Sequence, residues 1–338
     1  MQPEAMRAVT AGLRFLQASQ QTDGSFLSDW WRVSGAEEVE IRRENSLFQT
    51  AFIGSVLSQV EGAAPIVRRV TQFVEAQREP GCVWRYLTST HPGTAAMPPD
   101  VDDTALGSLL LREADRPVGT ADAVILSNRD RQGRFYTWIT VFGAWWREPA
   151  RVRIFFHRLH QLRHVVAGFR HDNQRIRDRD ASVNANVVLY LGRCPGTEGA
   201  VNYLIDVARR GVSDDRWYDD PFTLWFLISR ALRRHGIQDG AVLPDHLGSH
   251  RPTTSLQLAA AVCVALDWGS HVPDEWIAGL LASQSPDRGW EREALYSVRG
   301  TDERWGGEAT TTALCVQALS RWLAASGVPR PEPKVLEA

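Results

Sequence analysis

Six stretches spread along the chain open alike, with a polar, small or threonine-rich start running straight into apolar residues. They are Asn45-Ser-Leu-Phe-Gln-Thr-Ala-Phe, Asp102-Asp-Thr-Ala-Leu, Ser182-Val-Asn-Ala-Asn-Val-Val, Asp220-Pro-Phe-Thr-Leu-Trp-Phe, Thr253-Thr-Ser-Leu-Gln-Leu-Ala and Glu308-Ala-Thr-Thr-Thr-Ala-Leu. A unit that recurs in this way cannot bury its apolar surface alone and must stack on copies of itself. The residues after each start are apolar on more than one face, which predicts helices enclosed by a second layer. Between them lie more amphipathic segments near residues 4–20, 64–78, 198–210 and 273–284, with less regular material near 117–128 and 238–248. Outer and inner helices therefore alternate, and residues 1–338 read as one all-α domain of about six helical hairpins. Sheet has little room outside residues 115–150.

Two segments stand apart from the repeat. Residues 115–181 exceed what one hairpin needs and read as an insertion, with an apolar run from Phe135 to Trp146 and a basic segment from Arg151 to Arg179. The stretch from Arg151 reads as an amphipathic helix with a cationic face, which would cap a barrel mouth, meet a membrane surface peripherally, or simply be solvated. The tail, residues 327–338, is expected to be flexible.

At 43% hydrophobic residues with 13 Trp, the chain has ample material for a core. Its net charge of -2 makes no electrostatic case for nucleic acid as a partner. Lys334 is the only lysine, so nearly all positive charge is arginine. Cys82, Cys194, Cys263 and Cys315 are widely separated, without a CxxC pair or zinc-finger spacing, and read as buried free thiols. No basic segment followed by an apolar run opens the chain and no stretch of 18 apolar residues occurs, so a soluble cytoplasmic protein is expected.

The chemistry concentrates at the second inner-helix start, Asp100-Val101-Asp102-Asp103-Thr104-Ala105. Pro98 and Pro99 disfavour helix upstream, while Ala105, Leu106, Leu109 and Leu110 recur at helical spacing, so a helix is expected to begin near Asp102. Three carboxylates this close cannot all ionise cheaply, and apolar surroundings raise their pKa further, whereas the helix N-terminus favours the anion. If crowding and desolvation win, one aspartic acid stays protonated and can serve as a general acid. The plain alternative is that Asp100 or Asp102 caps the helix and the others are solvated.

The wording DVDDTA resembles the signature of class II terpene cyclases, the squalene-hopene cyclase group, which protonate an alkene or epoxide to start a carbocation cascade. Further likeness lies in the phrases that end outer helices: Gln21-Thr-Asp-Gly-Ser-Phe26, Gln77-Arg-Glu-Pro-Gly-Cys-Val-Trp84, Gln284-Ser-Pro-Asp-Arg-Gly-Trp290 and, more faintly, Gln132-Gly-Arg-Phe135. These resemble degenerate copies of the family's Gln-Trp repeats. The resemblance covers nearly the whole chain and implies an (α/α)6 barrel of the terpenoid cyclase/prenyltransferase type. It also implies Asp102 as proton donor, with Asp100 and Asp103 tuning it. The family's histidine partner to the acid maps to no position; His91 is a local candidate, while His157, His160, His164 and His171 lie in the insertion.

A carbocation needs walls that stabilise it without attacking it, and aromatic ring faces do so, by roughly 0.5 to 2 kcal/mol each. Candidates are Phe48, Phe52, Trp217, Tyr218, Phe222, Trp225, Phe226 and Trp305, of which about a third are expected to face a cavity. A diphosphate head group would need an arginine clamp, with Arg170, Arg175, Arg177 and Arg179 as candidates beside Arg42 and Arg43. Protonation requires no cofactor or resident metal. Magnesium enters only with a diphosphate, and the cluster Asp214, Asp215, Asp219 and Asp220 is either a metal site or a plain loop. The DDxxD motif of class I enzymes is absent, so diphosphate loss is not the expected initiation.

Typical members pair this barrel with a second one, whereas this chain has room for one. Closure would then fall to the insertion, a homodimer or a partner chain, and a C10 to C20 prenyl diphosphate or meroterpenoid suits the space better than a triterpene. Three readings follow: a class II terpene cyclase, formally an isomerase acting on a small isoprenoid; a non-catalytic α/α-barrel isoprenoid-binding or accessory protein; and a protein prenyltransferase β-like subunit. The last lacks a cysteine in the required Asp-x-Cys context.

Overall fold

The computed structural model describes residues 1–35, 37–139, 146, 148–161, 164–165, 177–212 and 215–327. Six helical pairs follow one another, each an outer element and then an inner helix. These are α1 (Gln2–Ser19) and α2 (Leu47–Leu57); α3 (Ala64–Ala76) and α4 (Val101–Glu113); α5 (Ala121–Ser127) and, after α6 (Pro149–Arg158), α7 (Ala181–Leu191). Then come α8 (Glu198–Arg210) and α9 (Pro221–Arg234); a 3₁₀ turn (Gln238–Val242) with α10 (Leu243–Leu247), and α11 (Ser255–Asp267); and α12 (Asp274–Ala282) and α13 (Glu308–Ala325). The inner helices pack in the ring α2, α4, α7, α9, α11, α13 and back to α2, which closes a barrel.

Burial explains which helices go inside. Ten of the eleven residues of α2 are buried, Gln49 and Thr50 among them, whereas α3 buries only the stripe Ile66, Val70, Thr71, Phe73 and Val74. Inner helices start at capping residues whose side-chain oxygens accept an N–H three residues on: Ser46 from Gln49, Asp100 from Asp103, Asp220 from Thr223 and Thr254 from Gln257. Four of the six inner helices thus begin at a side-chain cap, whereas α7 and α13, after Asp180 and Gly307, have none.

The outer-to-inner turns are tied by a shared clamp, in a register different from the one expected. An aromatic residue donates its backbone N–H to a polar side chain on the following inner helix: Phe26 to Thr50 (3.0 Å), Trp84 to Thr104 (3.2 Å), Phe135 to Asn184 (2.9 Å) and Trp290 to Thr312 (2.9 Å). Six positions before each aromatic, a long donor side chain reaches a backbone carbonyl of the next outer layer. Gln20 reaches Ile66, Arg78 reaches Pro117, Arg129 reaches Gly196 and Gln284 reaches Ala8. The expected glutamines at 21, 77 and 132 are therefore displaced from the clamp; Gln77 accepts from the Ser89 N–H instead. The indoles of Trp84 and Trp290 also donate back to Val74 and Leu280, ten residues earlier. Gly107 lies against the Trp84 ring, where a Cβ would come within 3.0 Å of it.

The molecule is not purely helical. Strands β1 (Leu27–Ser34), β2 (Glu37–Asn45), β3 (Ala294–Ser297) and β4 (Glu303–Gly306) form an antiparallel sheet in the order β2-β1-β4-β3. This corrects the all-α expectation, and the sheet lies outside residues 115–150, where sheet had been allowed. Two hairpins placed before α2 and α13 meet because those helices are neighbours in the ring, a pairing that adjacency in sequence does not reveal.

Within residues 115–181, α5 takes an ordinary outer place, and α6 packs on it, with Arg151 donating to the Ser127 carbonyl and Ile154 against Gly81. Arg170, Arg175 and His171 of the basic segment, and residues 328–338 of the tail, lie outside the described residues. Among the described residues no helix is long and apolar enough to cross a membrane. All four cysteines are free, Cys263 and Cys315 fully buried and Cys82 and Cys194 partly so.

Candidate active site

A cavity of about 900 Å³ opens at the end of the barrel where the inner helices begin. Every outer element returns to the inner layer at this end, so the first turns of α2, α4 and α7 supply the walls along with the loop before α9 and the hairpin β3–β4. That hairpin contributes Tyr296, Val298, Arg299, Thr301, Glu303 and Trp305 and is tied to the loop by Ser297 N–H to Trp217 O and Arg299 N–H to Arg216 O, 2.9 and 2.8 Å. The hairpin shares this wall with the 115–181 segment, from which Arg134, Thr137, Trp138 and Arg177 to Asp180 line the same cavity.

Asp100, Asp102 and Asp103 all line this space. The backbone of Asp100 is pinned between two neighbours: its N–H donates to Trp84 O, and the flanking Val101 N–H donates to Thr137 O. Its carboxylate caps α4 through the Asp103 N–H at 2.7 Å. Asp103 is 1% exposed and Asp100 4%, whereas Asp102 retains accessible surface toward the cavity. The Asp102 Oδ1 accepts from Asn186 Nδ2 of α7 at 2.7 Å, and Asn186 Oδ1 accepts from Arg230 of α9 at 2.7 Å.

Burial dominates the electrostatics. It raises Asp102 to about 7, assisted by the charges of Asp100 and Asp215 and opposed by the Asn186 hydrogen bond and the Arg230 charge. Asp100 rises to about 6 for the same first reason, moderated by hydrogen bonds from Asp103 and its neighbours. Burial and the adjoining Asp100 push Asp103 well above the usual carboxylate range. Desolvation therefore outweighs the helix N-terminus, and Asp102 is substantially protonated near neutrality.

A second carboxylate set holds the wall. Asp215 accepts N–H groups from Ser182, Trp217 and Tyr218, and Asp180 accepts from the Thr137 hydroxyl and the Arg216 N–H. Burial, with Asp215 beside it, raises Asp180 to about 8. These contacts lock Trp217 and Tyr218 in the cavity wall. Of the acidic cluster, Asp215 accepts backbone N–H groups, Asp220 caps α9 and Asp219 pairs with Arg299. Asp214 lies outside the described residues, and among those described no group of three His, Cys, Asp or Glu side chains is arranged to hold a metal.

Of the eight aromatic candidates, Phe48, Trp217, Tyr218 and Trp305 line the cavity, while Phe52, Phe222, Trp225 and Phe226 do not. Phe52 and Phe226 pack edge to face inside the barrel, and Trp225 stacks on His246 of the outer layer while donating to Gly211 O. Sequence alone expected about a third of the eight to face a cavity without saying which, because helices buried on all sides present aromatics inward and outward alike. Tyr86, Trp138 and Tyr296 line the cavity and were missed, as were Asn186 and Arg230 behind the acid. Tyr296 is the hub of the aromatic wall, stacked on Trp305 at 5.6 Å and edge-on to Phe48 at 5.7 Å. A signal for Asn186 and Arg230 existed, since a polar side chain inside an all-round apolar helix needs a buried partner. No histidine lines the cavity among the described residues; His91 instead caps a 3₁₀ turn through the Gly93 N–H.

Arg177 and Arg179 lie at the cavity rim with Arg134, Arg216 and Arg299. Arg134 and Arg179 both bridge Asp130, and Arg216 and Arg299 face Asp178 and Asp219 at 4.0 and 3.3 Å. Arg42 and Arg43 lie on β2 instead, Arg42 over the Trp30 ring and Arg43 on Asp29.

No protein-family model and no curated protein sequence matches the chain. Solved structures do. The type II terpene cyclase MstE from Scytonema, in complex with the substrate geranylgeranyl dihydroxybenzoate, superposes with a TM-score of 0.66 at 16% identity over 96% of this chain and 98% of that one. Its apo form gives 0.65 at 15% identity, over 96% and 99%. A protein from Actinoplanes gives 0.66 at 16% identity, over 95% and 99%. The chain has a terpene cyclase-like fold, matched along almost the full length of these proteins.

Proposed function

We propose that this protein is a class II terpene cyclase of the squalene-hopene cyclase-like kind, an isomerase that cyclises a linear isoprenoid from a proton supplied by Asp102. The observation that carries this reading is Asp102 itself, raised to about 7 in the wall of a cavity that Phe48, Tyr86, Trp138, Trp217, Tyr218, Tyr296 and Trp305 also line.

In this mechanism the Asp102 carboxyl gives its proton to one carbon of a terminal double bond, forming a C–H bond and leaving a tertiary cation. Internal double bonds then attack in sequence, each converting a π bond to a ring C–C bond, until the last cation loses a proton or is captured. Burial keeps Asp102 protonated but does not by itself make it a stronger acid. Strength comes from stabilising the carboxylate left behind, which the Asn186 amide N–H does at 2.7 Å. Phe48, Trp217, Tyr218, Tyr296 and Trp305 line the space, and aromatic ring faces hold a cation electrostatically while offering it no strong nucleophile.

The substrate is a C10 to C20 isoprenoid. Of the rim arginines that would meet its head group, Arg134, Arg179 and Arg299 are already bridged to carboxylates, which favours a prenylated arene over a diphosphate and agrees with the substrate of MstE. Magnesium would be needed only with a diphosphate. Incubation with geranyl, farnesyl and geranylgeranyl diphosphates and with prenylated hydroxybenzoates, followed by phosphatase treatment and mass spectrometry, tests the proposal. Cyclic isomers of unchanged mass are expected, and any diphosphate should stay on the product. Inorganic pyrophosphate released in step with substrate loss would instead show ionisation chemistry.

A further inference from the structure

Arg230 is out of place for an ordinary arginine. It projects from inner helix α9 into the barrel, its guanidinium 5.4 Å from the Phe52 ring centre and 5.5 Å from that of Phe226, both rings fully buried. Among the described residues it makes no ion pair; its hydrogen bonds go to Asn186 Oδ1 at 2.7 Å and Ser55 Oγ at 3.3 Å. Arg230 is only part-buried, but a guanidinium held against two apolar rings without an ion pair gives up hydration, so its retention calls for a reason beyond packing.

The geometry supplies one. A guanidinium only donates, so the Asn186 atom facing it must be the amide oxygen. The amide nitrogen is thereby turned toward Asp102, and Oδ1 of that carboxyl must accept. The carboxylic proton is left to Oδ2. We infer that Arg230 is a positioning residue for the acid: through Asn186 it fixes which oxygen of Asp102 carries the transferable proton, and its charge stabilises the carboxylate that remains. The inference rests on the cyclase reading for its catalytic consequence, but its structural content does not.

The groups facing Asp102 are Asp100 and Asp103 on its own helix, Asp215 and Tyr218 from the loop before α9, and Arg230 with Asn186. All but the last pair favour the protonated form or are neutral. Arg230, itself lowered to about 10 by burial, stays charged at neutral pH. Removing it should therefore raise the Asp102 titration.

The test is the carboxylic C=O stretch of Asp102, isolated as an infrared difference between wild type and Asp102→Asn and followed against pH without substrate. Arg230→Met should move its midpoint upward by about one unit or more, and Asn186→Leu likewise. Arg230→Lys, which keeps charge and most of the stem, should fold even if Arg230→Met does not, and should give a smaller rise. Turnover of the cyclised isoprenoid should fall by up to about tenfold per unit although more of the acid is protonated, a combination that a purely structural role does not produce. An unmoved midpoint in folded Arg230→Met, or in Arg230→Lys should that be the only folded variant, overturns the inference. A shifted midpoint in a protein that cyclises nothing would leave Arg230 its role and remove the cyclase reading.

Discussion

Asp100, Asp102 and Asp103 are one residue type within four positions, yet they do three different things. Asp100 spends its charge capping α4, Asp103 is sealed beneath, and Asp102 faces the cavity with Asn186 behind it. If Asp102 supplies the proton, Asp102→Asn keeps the size and loses turnover by about 10² to 10⁴-fold, with an unchanged circular dichroism spectrum. An Asp102→Asn protein as active as wild type would remove the assignment. The aromatic residues divide in the same way. Trp305→Ala opens the cavity wall and should alter turnover and product pattern. Trp225→Ala, which hollows the contact between α9 and the outer layer, should cost about 3 to 5 kcal/mol in denaturant unfolding and leave the product pattern of the folded fraction unchanged.

At the scale of elements, the repeated clamp decides how each outer segment meets the next. Gln20 makes two hydrogen bonds from a buried amide, to Gly24 O and Ile66 O, whereas Arg78 makes one, partly exposed, to Pro117 O. Gln20→Ala should therefore cost about 1 to 3 kcal/mol and Arg78→Ala no more than about 1 kcal/mol, a difference that urea midpoints would resolve. Equal losses would mean that the clamp contributes through packing alone. The clamp's register could be read only dimly from sequence, because its donor alternates between Gln and Arg and its aromatic between Phe and Trp. What the four copies share is a spacing of six and a direction.

For the whole molecule, the cavity end concentrates carboxyls that prefer to be neutral. Asp100, Asp102 and Asp180 rise from 3.8 to about 6, 7 and 8, mainly through burial. Folded pKa values above unfolded ones bind protons more tightly in the native state, so the stability they contribute is complete below about 4 and is lost as pH climbs through 6 to 8. Asp130, lowered by Arg134 and Arg179, acts the other way but is already ionised throughout that range. The melting temperature should therefore fall between pH 5 and pH 9, and less steeply in Asp102→Asn. A flat profile over that interval would mean that these carboxyls are better hydrated than the fold indicates.

The inner and outer helices and their alternation were legible in the sequence, because apolar periodicity acts over a few residues and leaves a local trace. So was the carboxylate cluster at the start of α4, because Asp100, Asp102 and Asp103 lie within four positions of one another just before an apolar run. The sheet was not, because β1 and β4 meet only after the ring of helices has closed and brought residues about 270 apart into register. The division of aromatics between cavity and core, and the path from Arg230 through Asn186 to Asp102, were likewise decided in three dimensions. Each depends on which face of one helix meets which face of another, and a helix apolar on every side carries no mark of that in its own residues.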